Sequence, residues 1–325
     1  MRILVTGGAG FIGSCFVRMA LGPEAPAPVS SVTVLDALTY AGNSENLAPL
    51  AEDRRLEFVH GDIRDATLVT ELVPGHDAVV HFAAESHVDR SIAGAGEFVS
   101  TNVLGTQTLL DAALQERPVF LHVSTDEVYG SVAEGSWTEE EPLRPTSPYA
   151  ASKASSDLLA LAYHRTHGLD VRVSRCSNNY GPYQFPEKVI PLFTTSLLDG
   201  GSVPLYGDGL NVRDWLHVED HCRALFAILR DGRAGEVYNI GGGQELSNRQ
   251  LTERLLSACG ADWSSVLATP DRKGHDLRYS VDSGKVRAEL GWTPLHRFED
   301  GLDRTIAWYR NNRAWWEPLA SRLAE

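Results

Sequence analysis

Arg2-Ile-Leu-Val-Thr-Gly-Gly-Ala-Gly-Phe-Ile-Gly13 is the stretch whose reading decides the fold. Arg2 to Val5 is a short apolar run that reads as a buried strand. Gly7, Gly10 and Gly13 follow at G-x-x-G-x-x-G spacing, and an amphipathic run then continues to about Leu21. Glycines are required where a strand-to-helix turn is tight and where a pyrophosphate meets the backbone. The helix that opens there offers unpaired N–H groups and the positive end of its dipole to phosphate. A glycine motif alone is weak, but a strand before it and a helix after it are its confirming context.

Working outward, strands and helices alternate. Val32 to Leu35 is a second buried strand, ending in Asp36, where an acid can bind adenosine ribose hydroxyls. Ala37 and Leu38 follow with no arginine for a 2′-phosphate, which favours NAD over NADP. Leu56 to Val59 is a third strand and runs into Gly61-Asp62-Ile63. Asp62 reads equally as an adenine-edge contact or as the N-cap of a helix over Ala66 to Val73. Ala78 to Phe82 is a fourth strand, after which small Ala83 and Ala84 let backbone approach a cofactor. Gly96 to Gln115 reads as one long helix carrying Thr101 and Asn102. The pattern predicts an α/β fold, a Rossmann-type doubly wound parallel sheet.

Val119 to Val123 is the fifth strand and delivers Ser124, Thr125, Asp126 and Glu127 to the carboxyl end of the sheet, where ligands bind in such folds. Paired carboxylates there suit a general acid and a general base, although an isolated Asp-Glu pair is more often a polar turn. Pro148-Tyr-Ala-Ala-Ser-Lys153 opens the next helix and puts Tyr149 and Lys153 on one face. A nearby ammonium favours the phenolate, which would make Tyr149 a base at neutral pH. Leu169 to Arg175 is the sixth strand.

The pattern then becomes less regular. It divides the chain into a dinucleotide-binding domain over 1–176 and a smaller mixed α/β substrate domain over 177–325, with the chain returning to the first domain near 212–230. Lys188, Arg213, Arg272 and Lys273 are candidate anion binders in this half. Arg213 is the strongest, because it lies inside the apolar run Val212 to Leu216, where an unpaired guanidinium would be costly.

The net charge of -14 over 325 residues makes nucleic acid and anionic membrane surfaces poor partners. Cys15, Cys176, Cys222 and Cys259 are scattered with no C-x-x-C, which argues against a disulfide framework or a metal site and fits a reducing cytoplasm. No apolar run is long enough for a signal peptide or a membrane span.

Together these residues resemble the extended short-chain dehydrogenase/reductase family, and within it the dTDP-glucose 4,6-dehydratases, from Met1 to about Tyr309. The specific parts are Ala83 to Ser91, Ser124 to Gly130, Asn178 to Lys188, Arg213 to His221 and Asp271 to Asp276. The resemblance implies a lyase that keeps NAD bound, acts on a nucleotide sugar and forms a homodimer through the helices Gly96 to Gln115 and Tyr149 to Thr166. It implies that Thr125, Asp126, Glu127, Tyr149 and Lys153 are catalytic. Beside Gly7, Gly10 and Gly13, it assigns Phe11, Ile12, Asp36, Thr39, Asp62, Ile63, Phe82, Ala83, Ala84, Thr101 and Asn179 to the cofactor, together with Tyr149 and Lys153. To the nucleotide sugar it assigns Ser86, Thr125, Asn178, Lys188, Val189, Pro204, Tyr206, Arg213, Asn248, Arg272 and His275. Related 4-epimerases share the glycine turn and the Tyr/Lys pair but carry small residues where Asp126 and Glu127 stand. A 4-epimerase, a dehydratase for UDP- or CDP-glucose, and a non-catalytic NAD-binding regulator are the competing readings.

Overall fold

Strands buried on both faces need helices above and below them. The computed structural model, which describes residues 1–23 and 25–323, has that arrangement. The last two residues of the expected 177–325 domain lie outside the described residues. In chain order the strands are β1 (Arg2–Thr6), β2 (Ser31–Asp36), β3 (Leu56–His60), β4 (Ala78–His81), β5 (Val119–Thr125), β6 (Val171–Cys176), β7 (Asn178–Tyr180), β8 (Val203–Tyr206), β9 (Val212–His217), β10 (Val237–Ile240), β11 (Glu245–Ser247) and β12 (Val266–Thr269). Seven of them form one sheet in the order β10-β6-β5-β4-β1-β2-β3, with every pair parallel. The order reverses between β1 and β4, which opens a crevice at their carboxyl ends.

One face of this sheet is covered by the helices Phe11–Leu21 and Val218–Asp231, where Phe16 and Phe226 stack at 4.2 Å. The other face packs against Leu109, Leu110, Ala113, Ala160 and Leu161 of two long helical segments. Short β7, β9 and β11 form a second sheet, and β8 pairs with β12. Ile190, Phe193, Trp215, Leu251, Leu255 and Phe298 make a separate small core beside them. Thus β9 belongs to the second sheet, whereas the helix after it and β10 rejoin the large one. No helix among the described residues is long and apolar enough to cross a membrane.

Three local details differ from the sequence pattern. The apolar run marks Val119 to Val123, but β5 continues through Thr125, because Ser124 and Thr125 pair with Arg175 and Cys176. The run from Gly96 is helical through Glu116 but has a π-helical stretch over Val99–Gly105. There the Asn102 carbonyl accepts the hydroxyls of Thr106 at 2.6 Å and Ser156 at 2.5 Å. Such bulges recur at functional sites. This one aims the Asn102 amide at the Glu85 backbone (Glu85 N–H to Oδ1, 2.8 Å; Nδ2 to Glu85 O, 3.0 Å) and so holds the segment after β4. The third concerns Asp62, which does not cap the helix Ala66–Leu72. Asp65 does, accepting from Thr67 and Leu68 N–H, because a turn from Asp65 N–H to Asp62 O leaves Asp62 three residues short of the helix.

The helix Pro148–His167 follows directly from its ends. Ser147 caps it by accepting from the Ala150 N–H, Pro148 occupies the first turn where no N–H is needed, and Gly168 closes it at φ 65°.

Candidate active site

The switch-point crevice is a cleft of about 380 Å³ lined by both halves of the chain. Its floor is the glycine turn. Gly7 has φ +71°, and a Cβ there would lie 2.6 Å from the Ala83 nitrogen. A Cβ on Gly13 would lie 2.3 Å from the Gly7 oxygen. The helix Phe11–Leu21 starts at Gly10 with no side-chain cap and no acid in its first turn, so its leading N–H groups are left for an anion. Backbone pressed this close, an uncapped helix start and an acid at the end of β2 fit a dinucleotide. Asp36 lines the cleft, and its oxygens accept from Ala9 and Leu38 N–H, each at 2.8 Å. Each oxygen keeps acceptor capacity for a hydroxyl. Asp62 also lines the cleft, paired with Arg64 at 2.7 Å. Phe11, Ile12, Thr39, Ile63, Phe82, Ala83, Ala84, Thr101 and Asn179 line the same cleft.

At its inner end, β5 and the helix Pro148–His167 bring Thr125, Asp126, Glu127, Tyr149 and Lys153 together. Lys153 Nζ donates to the Val123 carbonyl at 2.9 Å, and burial holds its ammonium down at about 8 against the pull of Asp157. The Thr125 hydroxyl donates to Asp126 Oδ1 at 3.3 Å and accepts from the Glu127 N–H at 3.3 Å, and its nearness to the Tyr149 phenol draws that group downward. The expectation that Lys153 lowers this phenol is reversed in the structure. Burial and then the Glu127 charge push Tyr149 well above its ordinary value, while Lys153 is turned to the Val123 carbonyl.

The two carboxylates are perturbed unequally. Asp126 is pushed well up by burial, then by Glu127 and Asp214; its Oδ1 accepts from Thr125 Oγ1 at 3.3 Å, and its Oδ2 is buried without a partner. Glu127 is also raised by burial, but Arg213, Arg272 and Lys188 all pull it back. Both carboxyls are thus raised, Asp126 among carboxylates and Glu127 among cations. Neighbouring carboxyls pushed apart in this way mark acid and base.

A family model described as GDP-mannose 4,6 dehydratase matches residues 4–305. A dTDP-glucose 4,6-dehydratase of Streptomyces niveus is 63% identical over 323 residues, covering 99% of this chain and 96% of the relative. The chain belongs to the dTDP-glucose 4,6-dehydratase family. Among solved structures, the dehydratase DesIV of Streptomyces venezuelae, with NAD and a second molecule bound, matches at TM-score 0.97 and 66% identity, covering 98% of this chain and 100% of that one. A UDP-glucose 4-epimerase of Thermotoga maritima matches at TM-score 0.88 and 33% identity, covering 96% and 100%. The dehydratase and epimerase thus share one backbone, and the distinction between them rests on side chains.

On the substrate side of this dehydratase-family site, the cleft gathers Ser86, Asn178 and Lys188 but not every expected residue. Val189, Pro204, Tyr206, Arg213, Asn248, Arg272 and His275 are outside its lining. Arg213 lies just behind: it is buried, donates to the Asp276 carbonyl at 3.0 Å and sits 4.3 Å over the Tyr279 ring, close enough to act on both carboxylates. Arg272 also acts on Glu127, and His275 Nδ1 pairs with Asp271 at 2.6 Å. Val189 opens the helix Val189–Leu198. Pro204 and Tyr206 are on β8, and Asn248 begins the helix Asn248–Cys259, with its N–H on the Asn211 carbonyl.

Two features of the site escape the sequence pattern. Glu187 lines the cleft with its carboxylate 3.5 Å from Lys188 and 3.6 Å from His87. An acid beside a lysine in a loop reads as solvated charge and gives no signal. Asp157 is buried below Lys153, 3.2 Å from His122 and 2.8 Å from Arg175. Its i+4 spacing from Lys153 is the available clue.

Proposed function

We propose that the chain converts dTDP-glucose to dTDP-4-keto-6-deoxyglucose and water. The observation that carries this reading is the split pair Asp126 and Glu127 beside Tyr149 in the dinucleotide cleft. When NAD is bound on the glycine turn, its nicotinamide accepts the hydride of sugar C4 and gives it back at C6, and its positive ring favours the Tyr149 phenolate. Tyr149 removes the O4 proton while Thr125 holds that oxygen, and Lys153 supplies positive charge below the pair. A ketone at C4 acidifies the C5 proton, and Glu127 removes it. Asp126 protonates O6, which leaves as water as the C5–C6 double bond forms. After reduction at C6, Glu127 returns a proton to C5. A 4-epimerase would leave both carboxylates without a task.

In this reading, residues 1–176, joined by the returning helix Val218–Asp231 and β10, hold NAD, and the remainder of 177–325 holds the nucleotide sugar. Arg213, Arg272, Lys188 and His275 supply its diphosphate with positive charge and donors. The unpaired cysteines support a reducing cytoplasm. Exposed Val99, Leu104 and Leu158 on the two long helical segments support a homodimer that pairs them.

The decisive experiment follows the hydride. Substrate carrying deuterium at C4 should give product with that deuterium in the C6 methyl group, and reaction in heavy water should label C5. Label returned to C4 would establish an epimerase, and stoichiometric release of reduced cofactor an ordinary dehydrogenase. UDP- and CDP-glucose, run in parallel, should turn over far more slowly than dTDP-glucose.

A further inference from the structure

The turn that receives the dinucleotide is tied to the far end of the chain. Ala9, inside that turn, is held from both sides of its peptide. Its N–H donates to Asp36 Oδ2 at 2.8 Å. Its carbonyl accepts from the Asn43 N–H at 3.1 Å and from Asn46 Nδ2 at 2.8 Å. Asn46 is 2% exposed, and its Oδ1 accepts the indole N–H of Trp315 at 3.0 Å. Trp315 belongs to the last helix, Arg313–Leu323, and is 269 residues away in sequence. Its ring packs 5.0 Å from Trp308 and 5.6 Å from Tyr183. Tyr183 in turn lies 4.2 Å under the Arg18 guanidinium, which donates to the Asn46 carbonyl at 2.7 Å.

The order of donors along this chain has one solution. An indole N–H can only donate, so the amide oxygen of Asn46 must face Trp315. The amide nitrogen must then face Ala9. The Ala9 carbonyl, which can only accept, selects the same orientation from the other side, so without the indole the amide that holds the turn is fixed from one side and not two.

We propose that Asn46 and Trp315 are positioning residues that latch the last helix onto the dinucleotide turn and keep NAD resident between turnovers. The inference rests on the NAD reading above. The reaction takes a hydride from one carbon and returns it to another, so a chain that releases its cofactor midway strands an oxidised sugar. Retention therefore matters more than exchange. A turn held at Ala9 keeps the N–H groups at the start of the first helix aimed at the pyrophosphate.

The test compares wild type with Trp315→Phe, Asn46→Ala and the double variant, all purified without added NAD. The readouts are NAD per chain released on denaturation, the rate of NAD loss during dialysis, and the melting temperature. Trp315→Phe, which removes one part-buried hydrogen bond, should lose NAD roughly three- to tenfold faster, and Asn46→Ala, which also removes the bond to Ala9, at least as fast. The double should lose it no faster than Asn46→Ala, because the two residues act as one chain. Trp315→Phe keeps an aromatic ring in the cluster, so its fold should persist. NAD loss at the wild-type rate in Trp315→Phe, with or without a lower melting temperature, would make Trp315 a plain anchor and overturn the latch. Additive effects in the double variant would overturn it as well. A wild type that neither carries NAD nor binds it when added would remove the cofactor reading and the latch together.

Discussion

Burial raises both Asp126 and Glu127, yet Arg213, Arg272 and Lys188 oppose one carboxylate, Asp276, at Glu127, while at Asp126 Arg213 alone opposes two, Glu127 and Asp214. The assignment of acid and base follows from that asymmetry and predicts different losses. Glu127→Gln should abolish dehydration and solvent exchange at C5, by roughly 100-fold or more, and still permit oxidation at C4, so reduced cofactor should accumulate in a stopped-flow trace. Asp126→Asn should slow loss of water by a similar factor and leave C5 exchange measurable by NMR. Equal loss of C4 oxidation in both variants would refute the division of labour. The pH dependence has two limbs: Glu127 accepts only while ionised and Asp126 donates only while protonated, and both are raised, so the dehydration rate should climb as Glu127 ionises, pass through a maximum and fall as pH climbs through the raised pKa of Asp126.

The start of the helix Val218–Asp231 shows how an element end is held. Asp220 accepts from the backbone N–H groups of Leu295 at 3.0 Å and His296 at 2.9 Å, and from Arg223 at 3.0 Å, pinning to this helix the segment that leads into the helix Phe298–Asn311. Acids suit that end of a helix dipole. The His296 ring bridges Glu219 at 3.1 Å and Asp220 at 3.0 Å, and those bonds raise it from 6.5 to about 9. His217, stacked on it at 4.0 Å, is held down to about 4 by burial and then by His296, with Arg304 also nearby. A base raised in the folded state stabilises fully below its unfolded value and loses that contribution as pH rises through the folded one. The melting temperature should therefore decline between pH 6.5 and about 9, and His296→Gln should flatten that decline. Because His296 is only half-buried, the difference should be about 1–2 °C, readable by calorimetry.

At the scale of the molecule, Val99, Leu104 and Leu158 are 50%, 53% and 58% exposed on the two long helical segments, too apolar for a solvated helix face. Leu104→Glu combined with Leu158→Glu should convert a dimer to a monomer in analytical ultracentrifugation and leave the cleft, which neither residue lines, able to bind NAD. A wild-type chain that sediments as a monomer would refute the pairing.

Much of the fold and the cofactor cradle is legible in the amino-acid sequence alone, because both are local. The strand, turn and helix around Gly7 to Gly13, the acid ending β2, and Tyr149 four residues before Lys153 are set by spacings along single elements, and backbone geometry turns those spacings directly into positions. The adjacent pair Asp126 and Glu127 can likewise be read from a strand end. What required the tertiary structure has no period and no near neighbour in sequence. Nothing local tells Asp65 from Asp62 as a helix cap, or reveals the π-helical stretch that aims Asn102. The direction of the Tyr149 shift depends on burial and on a carboxylate from another element. The buried partnership of Asp157 with His122 and Arg175 joins a helix to two strands, and the contact of Trp315 with Asn46 joins the two ends of the chain. Such contacts form only when separate elements pack, so the electrostatics of the site, unlike its list of residues, are a property of the assembled fold.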